Sequence, residues 1–391
     1  MITTLSIADR DHSSVPVFAA AVTRSVRSIT RSEWNACFPG DPEGWAYYCA
    51  IEESGLADFS FAYFAVREYG RVVAVAPAFV TDYRLDTLLH GRWKDALKPL
   101  LDRVGRLLSM RMLCLGSPVS ERCHIGFAPD LTDASRRRAL ACLLASVEEF
   151  AAANSAGLLA VKDATDADLG HGAELTFADA GYARRPGLPN TLVALPAGGE
   201  PAYLQSLSAT ARREVRRKLR VADGVRIEIR RGTEALGLVP EMVRLYEAQR
   251  HRSHDDFDQF EKLTPGYFRS VLTELGQAAV VFLYWHREQL LAFNFCYHSD
   301  RLFVDKFIGF EPPLSRAFNL YVLSWMTNVR YCLERGIPLL QPGQTAYAMK
   351  RRLGASLHSN WILFRHRNPF LNAILRLASP LLVAQHQDAG A

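Results

Sequence analysis

Five polar residues interrupt the apolar stretch Leu302–Ala355 where its elements should meet: Asp305, Lys306, Gln344, Tyr347 and Lys350. Asp305 and Lys306 are adjacent in an apolar and aromatic run over 302–310, so pleating sends them to opposite faces of a strand. At least one of the two charges must then face a packed side, where it needs a partner or a task. Asp305 could accept a proton, and Lys306 could bind a carboxylate or phosphate; a buried structural ion pair is the competing reading. Gln344 and Tyr347 lie one helical turn apart on a short helix that also carries Lys350.

The elements that place these residues follow from local signals. Pro312 and Pro313 break the strand, and Ser315 is a capping residue for a helix whose apolar positions Leu320, Leu323, Met326 and Val329 keep helical spacing. Asn319 and Tyr321 open that helix, where free N–H groups favour an anion. Gly336 ends it, 337–340 reads as a short buried strand, Pro342–Gly343 as a turn and 344–353 as the last helix. Strand, helix, strand, helix with polar groups at the strand ends is how an α/β sheet builds a ligand crevice.

Charge is local rather than global. The net charge is +5, which excludes a chain that coats nucleic acid throughout, but 212–220 holds six cations against Glu214: Arg212, Arg213, Arg216, Arg217, Lys218 and Arg220. A helix over 203–222 puts Leu204, Leu207, Ala211, Val215 and Leu219 on one face and these cations on the other. They could follow a phosphate backbone, or form an ordinary solvated face. An acidic membrane surface, suggested by the apolar segment 370–383, is a third reading, but no peripheral membrane contact is expected.

Other constellations carry less. Seven cysteines show no CxxC spacing and read as buried thiols of a reducing compartment; no run reaches the ~18 apolar residues of a membrane span and no leader is evident, so a cytoplasmic location is expected. His251, His254, Asp255, Asp256 and Asp258 fit no standard ligand frame, and no metal is expected. Cys123–His124 would diverge on a strand, His286 reads as a solvated turn residue, and His298, just after a strand, remains a substrate-binding candidate.

The chain repeats itself. The run 61–85 and the run 280–304 both read as three strands joined by charged turns, and each is followed by a helix and a strand in the same order. The expected organisation is a loosely held extension over 1–24, a first α/β unit over 25–195 and a second over 196–391. The second carries the basic helix and a C-terminal helical tail, and 183–201, rich in proline and glycine, is the linker between the units.

The doubled meander–helix–strand–helix unit, the segment YLQSLSATARREVRRKLR and the ending GQTAYAMKRRLGA together resemble the GNAT (acetyltransferase-like) superfamily, specifically its double-domain FemAB/FemX-like branch. The resemblance covers most of residues 25–367. It implies an α/β fold of two tandem GNAT-like domains, each a mixed, mostly antiparallel sheet flanked by helices. It also implies transfer of an acyl or aminoacyl group from an activated donor to an amine, with no tightly bound cofactor. Amide formation needs an amine relieved of a proton, a stabilised oxyanion and an acid for the leaving group. Lys350 occupies the place of the branch's lysine and is assigned the oxyanion or leaving-group role; Asp305 would take or orient the amine's proton, with Tyr347 and Gln344 extending the site. Single-domain members hold coenzyme A through a glycine-rich loop at the central helix. Here that position reads GFEPPLSRAFN, without the glycines, so aminoacyl-tRNA is the expected donor ahead of acyl-CoA. No cysteine or serine has a base beside it in sequence, so no covalent enzyme intermediate is required. A binding protein that has lost the reaction is the competing class.

Overall fold

The computed structural model describes residues 3–4, 18–84, 109–250, 260, 263–311 and 314–383. The His251–Asp258 cluster and the two prolines 312 and 313 lie outside them.

The first sheet begins with β1 (Thr3–Thr4) and β2 (Phe18–Thr23), paired with each other. α1 (Trp45–Glu52) precedes a long hairpin, β3 (Ser60–Glu68) and β4 (Arg71–Arg84). Tyr69 and Gly70 between them both have positive φ, 48° and 84°, the requirement of a two-residue turn whose twist matches its strands. β5 (Ser109–Leu115), β6 (Gly126–Phe127), α2 (Asp133–Ala153) and β7 (Leu158–Thr165) follow. α2 starts at an N-cap in which Thr132 accepts from the Ser135 N–H, and it buries Leu140, Leu143, Leu144, Val147 and Phe150 at helical spacing.

β8 (Ala183–Pro186) and β9 (Asn190–Ala194) occupy the expected linker, followed by α3 (Gly199–Ser206) and α4 (Ala209–Val221). The second sheet's remaining elements are β10 (Arg226–Arg231), α5 (Val239–Arg250), α6 (Pro265–Leu275), β11 (Ala279–His286), β12 (Gln289–His298) and β13 (Leu302–Phe310). Then come the one-turn α7 (Leu314–Ala317), α8 (Leu320–Arg335), β14 (Leu339–Gln341), α9 (Tyr347–Arg352) and β15 (Ser356–His358). β16 (Asn360–His366) and α10 (Pro369–Val383) end the described chain.

The strands form two sheets, β1-β2-β3-β4-β5-β7-β16-β8, with β6 against β4, and β10-β11-β12-β13-β14-β9-β15. In each, one central pair is parallel, β5 with β7 and β13 with β14, and the others are antiparallel. The two α/β units are thus mixed sheets flanked by helices, as expected from the repeat.

Several expectations need correction. The run 61–85 holds two strands rather than three, because β4 continues through Thr81 and Asp82 and pairs with β5 up to Arg84–Ser109. The third strand of the first copy is instead β5, so that β2-β3-β4-β5 is the counterpart of β10-β11-β12-β13. Residues 18–23, expected as loose extension, form β2. The 195/196 boundary fails at both sides, since β9 lies between β14 and β15 of the second sheet while β16 pairs with β7 and β8 of the first. The proline- and glycine-rich segment is not a free tether; its two short strands are shared out between the sheets. Finally, Ser315 lies inside α7, and the residue preceding α8 is Asn319, left-handed at φ 51°.

A common core fastens the units. Trp34, Tyr47, Tyr48 and Tyr63 from the first unit pack in one cluster with Met242, Leu245, Tyr267, Phe268, Phe295 and Tyr297 from the second.

Candidate active site

β13 and β14 pair only from Leu302–Leu339 to Val304–Gln341. Beyond that point β13 runs on to Phe310 while β14 stops, so the sheet opens at Asp305. A β-bulge sets which way the strand's side chains face there. Phe295 pairs with Phe307 and Cys296 with Asp305, leaving Lys306 as the extra residue. Without the bulge Asp305 and Phe307 would share a face; with it, Asp305 turns to α8 and Phe307 to the core between the units.

On the α8 side, Asn328 Nδ2 donates to Asp305 Oδ2 at 2.9 Å, and Asn294 Nδ2 donates to Asn328 Oδ1 at 3.2 Å. Tyr321, one of the residues expected at the helix start, is close enough for the Asp305 charge to raise its hydroxyl pKa, after burial. Burial pushes the Asp305 carboxyl up to about 7; Lys350 and the two asparagines pull it back, and Glu121 adds to the rise.

Lys350 arrives from the other strand. After β14 the chain turns through Gly343, Thr345 and Ala346, all left-handed at φ 77°, 68° and 48°. This bend aims two carbonyls inward: Lys350 Nζ donates to Gly343 O at 2.9 Å and to Gln344 O at 2.7 Å. The side chain is 4% exposed, and burial brings its ammonium down to about 8, opposed by Glu121 and Asp305. Two of its three protons are committed to carbonyls and one is left over. Glu121 comes from the loop after β5 of the first unit. A Cβ on Gly343 would lie 3.5 Å from both Glu121 carboxylate oxygens, which puts Glu121 against this turn, and the φ of 77° there favours glycine.

Lys162 and Asp163 reach the same place from the first sheet, just past the last parallel pair of β5 and β7, Leu115–Val161. They form an ion pair at 2.5 Å, and Lys162 also bonds Ser120 O. Gln344 Nε2 donates to Asp163 Oδ1, Asn190 Oδ1 and Leu188 O, each at 3.2 Å, and Asn360 Nδ2 donates to Asp163 Oδ1 at 2.8 Å. The openings of the two sheets therefore face each other. Tyr347 Oη donates to Pro189 O at 3.2 Å. Gln344 and Tyr347 thus tie the site's helix to the crossover segment.

The structure separates the remaining candidates. Lys306 lies 5.2 Å from the Phe307 ring centre and is among the cations that hold the buried Glu43 carboxyl low against the effect of its burial. It faces a polar cluster between the units, away from Asp305. There Glu43 accepts from Tyr297 at 2.5 Å and Ser120 at 2.6 Å, Arg122 pairs with Asp41 at 2.8 Å, and His124 Nε2 stands 3.3 Å from Glu43. Asp41, Glu43 and His124 present ligand atoms near enough to share an ion. With both Glu43 oxygens and Asp41 already engaged, the geometry is that of an ion-pair network. His124 Nδ1 bonds Tyr48, and Cys123 is a partly buried thiol pushed well up by desolvation, so the two do not form a nucleophilic pair. His298 contacts Ser299, Tyr331 and Phe303, and the structure does not bring it to Asp305 or Lys350.

Around α7 and the start of α8, five backbone donors are already used. The N–H groups of Ser315, Phe318 and Asn319 bond Glu311, Leu314 and Arg316 carbonyls, and those of Val322 and Leu323 both bond Asn319 O. On α4, Arg212 bonds the carbonyls of Leu204 and Gln205, Lys218 pairs with Glu214 at 2.7 Å, and Arg220 reaches Arg216 O. Arg213, Arg216 and Arg217 are exposed. Arg352 of α9 also acts on Glu214, so the basic surface continues from α4 to the helix that carries Lys350.

Sequence reasoning missed Glu121, Lys162, Asp163, Asn294, Asn328 and Asn360. A lone Asn inside an apolar strand, as in QLLAFNFCYH, or in the apolar α8, was the available signal for Asn294 and Asn328. Nothing local marks Glu121, whose place depends on the first unit docking against the second.

Residues 206–351 match the family model of the acetyltransferase (GNAT) domain. Among solved structures the chain is similar to FemX, at 14% identity over 89% of this chain and 98% of that one, with a TM-score of 0.59. It is also similar to a tandem GNAT protein from the clavulanic acid biosynthesis pathway (14% identity, 82% and 88% covered, TM-score 0.47) and to L-PGS from Bacillus licheniformis (9%, 74% and 96%, 0.47). No curated protein matches the chain. Because the FemX match spans both units, the chain shares the two-unit fold of FemX, and the GNAT domain model falls on its second unit.

Proposed function

We propose that this double-domain GNAT protein is an acyltransferase that moves an aminoacyl or acyl group from an activated ester or thioester to an amine, at the opening between β13 and β14. The observation that carries this reading is the meeting, at that opening, of a carboxyl on one strand and a buried ammonium that follows the other. Asp305 takes a proton from the amine as it attacks the acyl carbon. The carbonyl becomes a tetrahedral oxyanion beside Lys350, whose spare proton stabilises it and is passed to the leaving oxygen or sulfur. The amide forms as the donor bond breaks, and solvent returns a proton to Lys350 and removes one from Asp305. Glu121 keeps Lys350 charged while the acyl group is in place. No enzyme-bound acyl group is formed.

Aminoacyl-tRNA is the favoured donor. Two observations support it: the loop before α8 lacks the glycines of a pyrophosphate-binding turn, and the exposed arginines of α4 run on to the α9 surface beside the site. Phosphate tracking by such a surface is sequence-independent and salt-dependent. The test incubates the protein separately with charged tRNA and with acyl-CoA across a panel of small amines and hydroxylamine. Amide formed from the tRNA ester supports this reading, whereas transfer only from the thioester replaces it with an acyl-CoA enzyme. No transfer from either points to a binding protein.

A further inference from the structure

α10 lies along β16 and β8 with one face on the protein. Leu375 packs beside the Phe79 and Phe260 cluster, and the buried Ser379 accepts from Arg185 Nε at 2.5 Å. Its opposite face is apolar as well. Phe370, Ile374 and Leu377 are 72%, 45% and 80% exposed, and their spacing of four and three puts them in one stripe. Ile362 of β16, 39% exposed, pairs with Arg185 and so shares the sheet face on which α10 rests. The helix, PFLNAILRLASPLLV, contains no carboxylate, and its one charge, Arg376, is exposed. Arg185 of β8 stands beside it, donating to Arg376 O.

From this we infer that the outer face of α10 is an in-plane attachment to an anionic phospholipid bilayer. A ridge of three protruding side chains is convex. A stable protein partner needs roughly 800 Å² per side and a matching groove, far more than such a ridge offers. A bilayer interface asks for no matching shape; it takes up apolar side chains to a depth of ~5–10 Å and rewards flanking cations where its lipids are acidic. The helix lies on the surface rather than crossing it, since no helix among the described residues is long and apolar enough to span a membrane. This reverses the sequence-based expectation of no peripheral contact, and it does not depend on the proposed reaction.

The test is flotation of the full chain with vesicles of phosphatidylglycerol and phosphatidylcholine, 1:1, and with phosphatidylcholine alone. The wild type should float with the anionic vesicles. The Phe370→Ser/Ile374→Ser/Leu377→Ser variant, altered only at exposed positions, should bind at least about tenfold more weakly with an unchanged circular dichroism melt. Phe370→Trp should shift its emission to the blue when anionic vesicles are added, a readout that needs no loss of residues. Wild type left in the dense fraction would overturn the proposal, as would a triple variant that floats equally well. A wild-type dimer by light scattering that the triple variant turns into a monomer would instead make the ridge a contact between two copies.

Discussion

At Asp305 and Lys350, burial moves an acid and a base toward each other on the pH scale, to about 7 and about 8. A reaction that needs the carboxylate and the ammonium together then has a narrow bell-shaped pH profile centred between these values, titrating as a pair rather than as two independent groups. Asp305→Asn should abolish the acid limb of kcat/KM, and Lys350→Ala should cost about 10²–10³ in kcat, as for one missing oxyanion donor. Turnover undiminished in both variants would move the chemistry elsewhere. The same shifts bear on stability. Asp305 has a folded pKa above its unfolded 3.8, so its contribution is full below about 4 and is lost as pH rises toward 7. Lys350 has the opposite sign, regaining stability between about 8 and 10.5. Urea unfolding of Asp305→Asn should therefore gain on the wild type between pH 4 and 7, by at most about 1.4 kcal/mol per unit. A constant difference across that range would mean that Asp305 ionises normally.

The element on which the proposed tRNA donor can be tested is α4. Arg213, Arg216 and Arg217 are exposed, whereas Arg212 and Lys218 already bond protein groups. Glutamates at Arg213, Arg216 and Arg217 should weaken tRNA binding in a shift assay by at least tenfold. They should also lower the slope of log K against log salt by about 2, near 0.7 for each single-strand phosphate that no longer meets a cation. An unchanged slope would leave α4 as a solvated face. The bulge at Lys306 is the other decisive element. Beside it two adjacent charges serve separate places, Asp305 the opening of the sheet and Lys306 the cluster around Glu43. Alternation alone foresaw that they diverge, but not that Phe307 would leave Asp305's face.

Across the whole molecule, strand exchange and a shared aromatic core make the two units one folding body. Calorimetry should show a single unfolding transition; two separated transitions would contradict the shared core. A fragment of 196–391 should fail to fold, because it lacks β9 between β14 and β15 and leaves β16 without β7 and β8. Between the units, Glu43→Gln would strip the carboxylate from a buried site that holds Arg122 and, nearby, Lys306. The expected cost is about 3–5 kcal/mol, read as a lowered thermal midpoint.

Short-range signals in the chain determined much of this: the amphipathic helices, the hairpins, the divergence of Asp305 and Lys306, and the placing of Lys350 just beyond a turn. These follow from spacing and turn chemistry within some ten residues, and the doubled unit follows from seeing the same series twice. Only the tertiary structure decided that β9 and β16 change partners, since short strands such as LVA or WIL carry no label for the sheet they join. It also decided that Glu121 and Asp163 of the first unit stand at the second unit's opening. Burial, which moves the Asp305 and Lys350 pKa values, is a property of the packed molecule. So is the outward face of α10: the apolar segment 370–383 only suggests a membrane surface, and packing shows which half of it stays exposed.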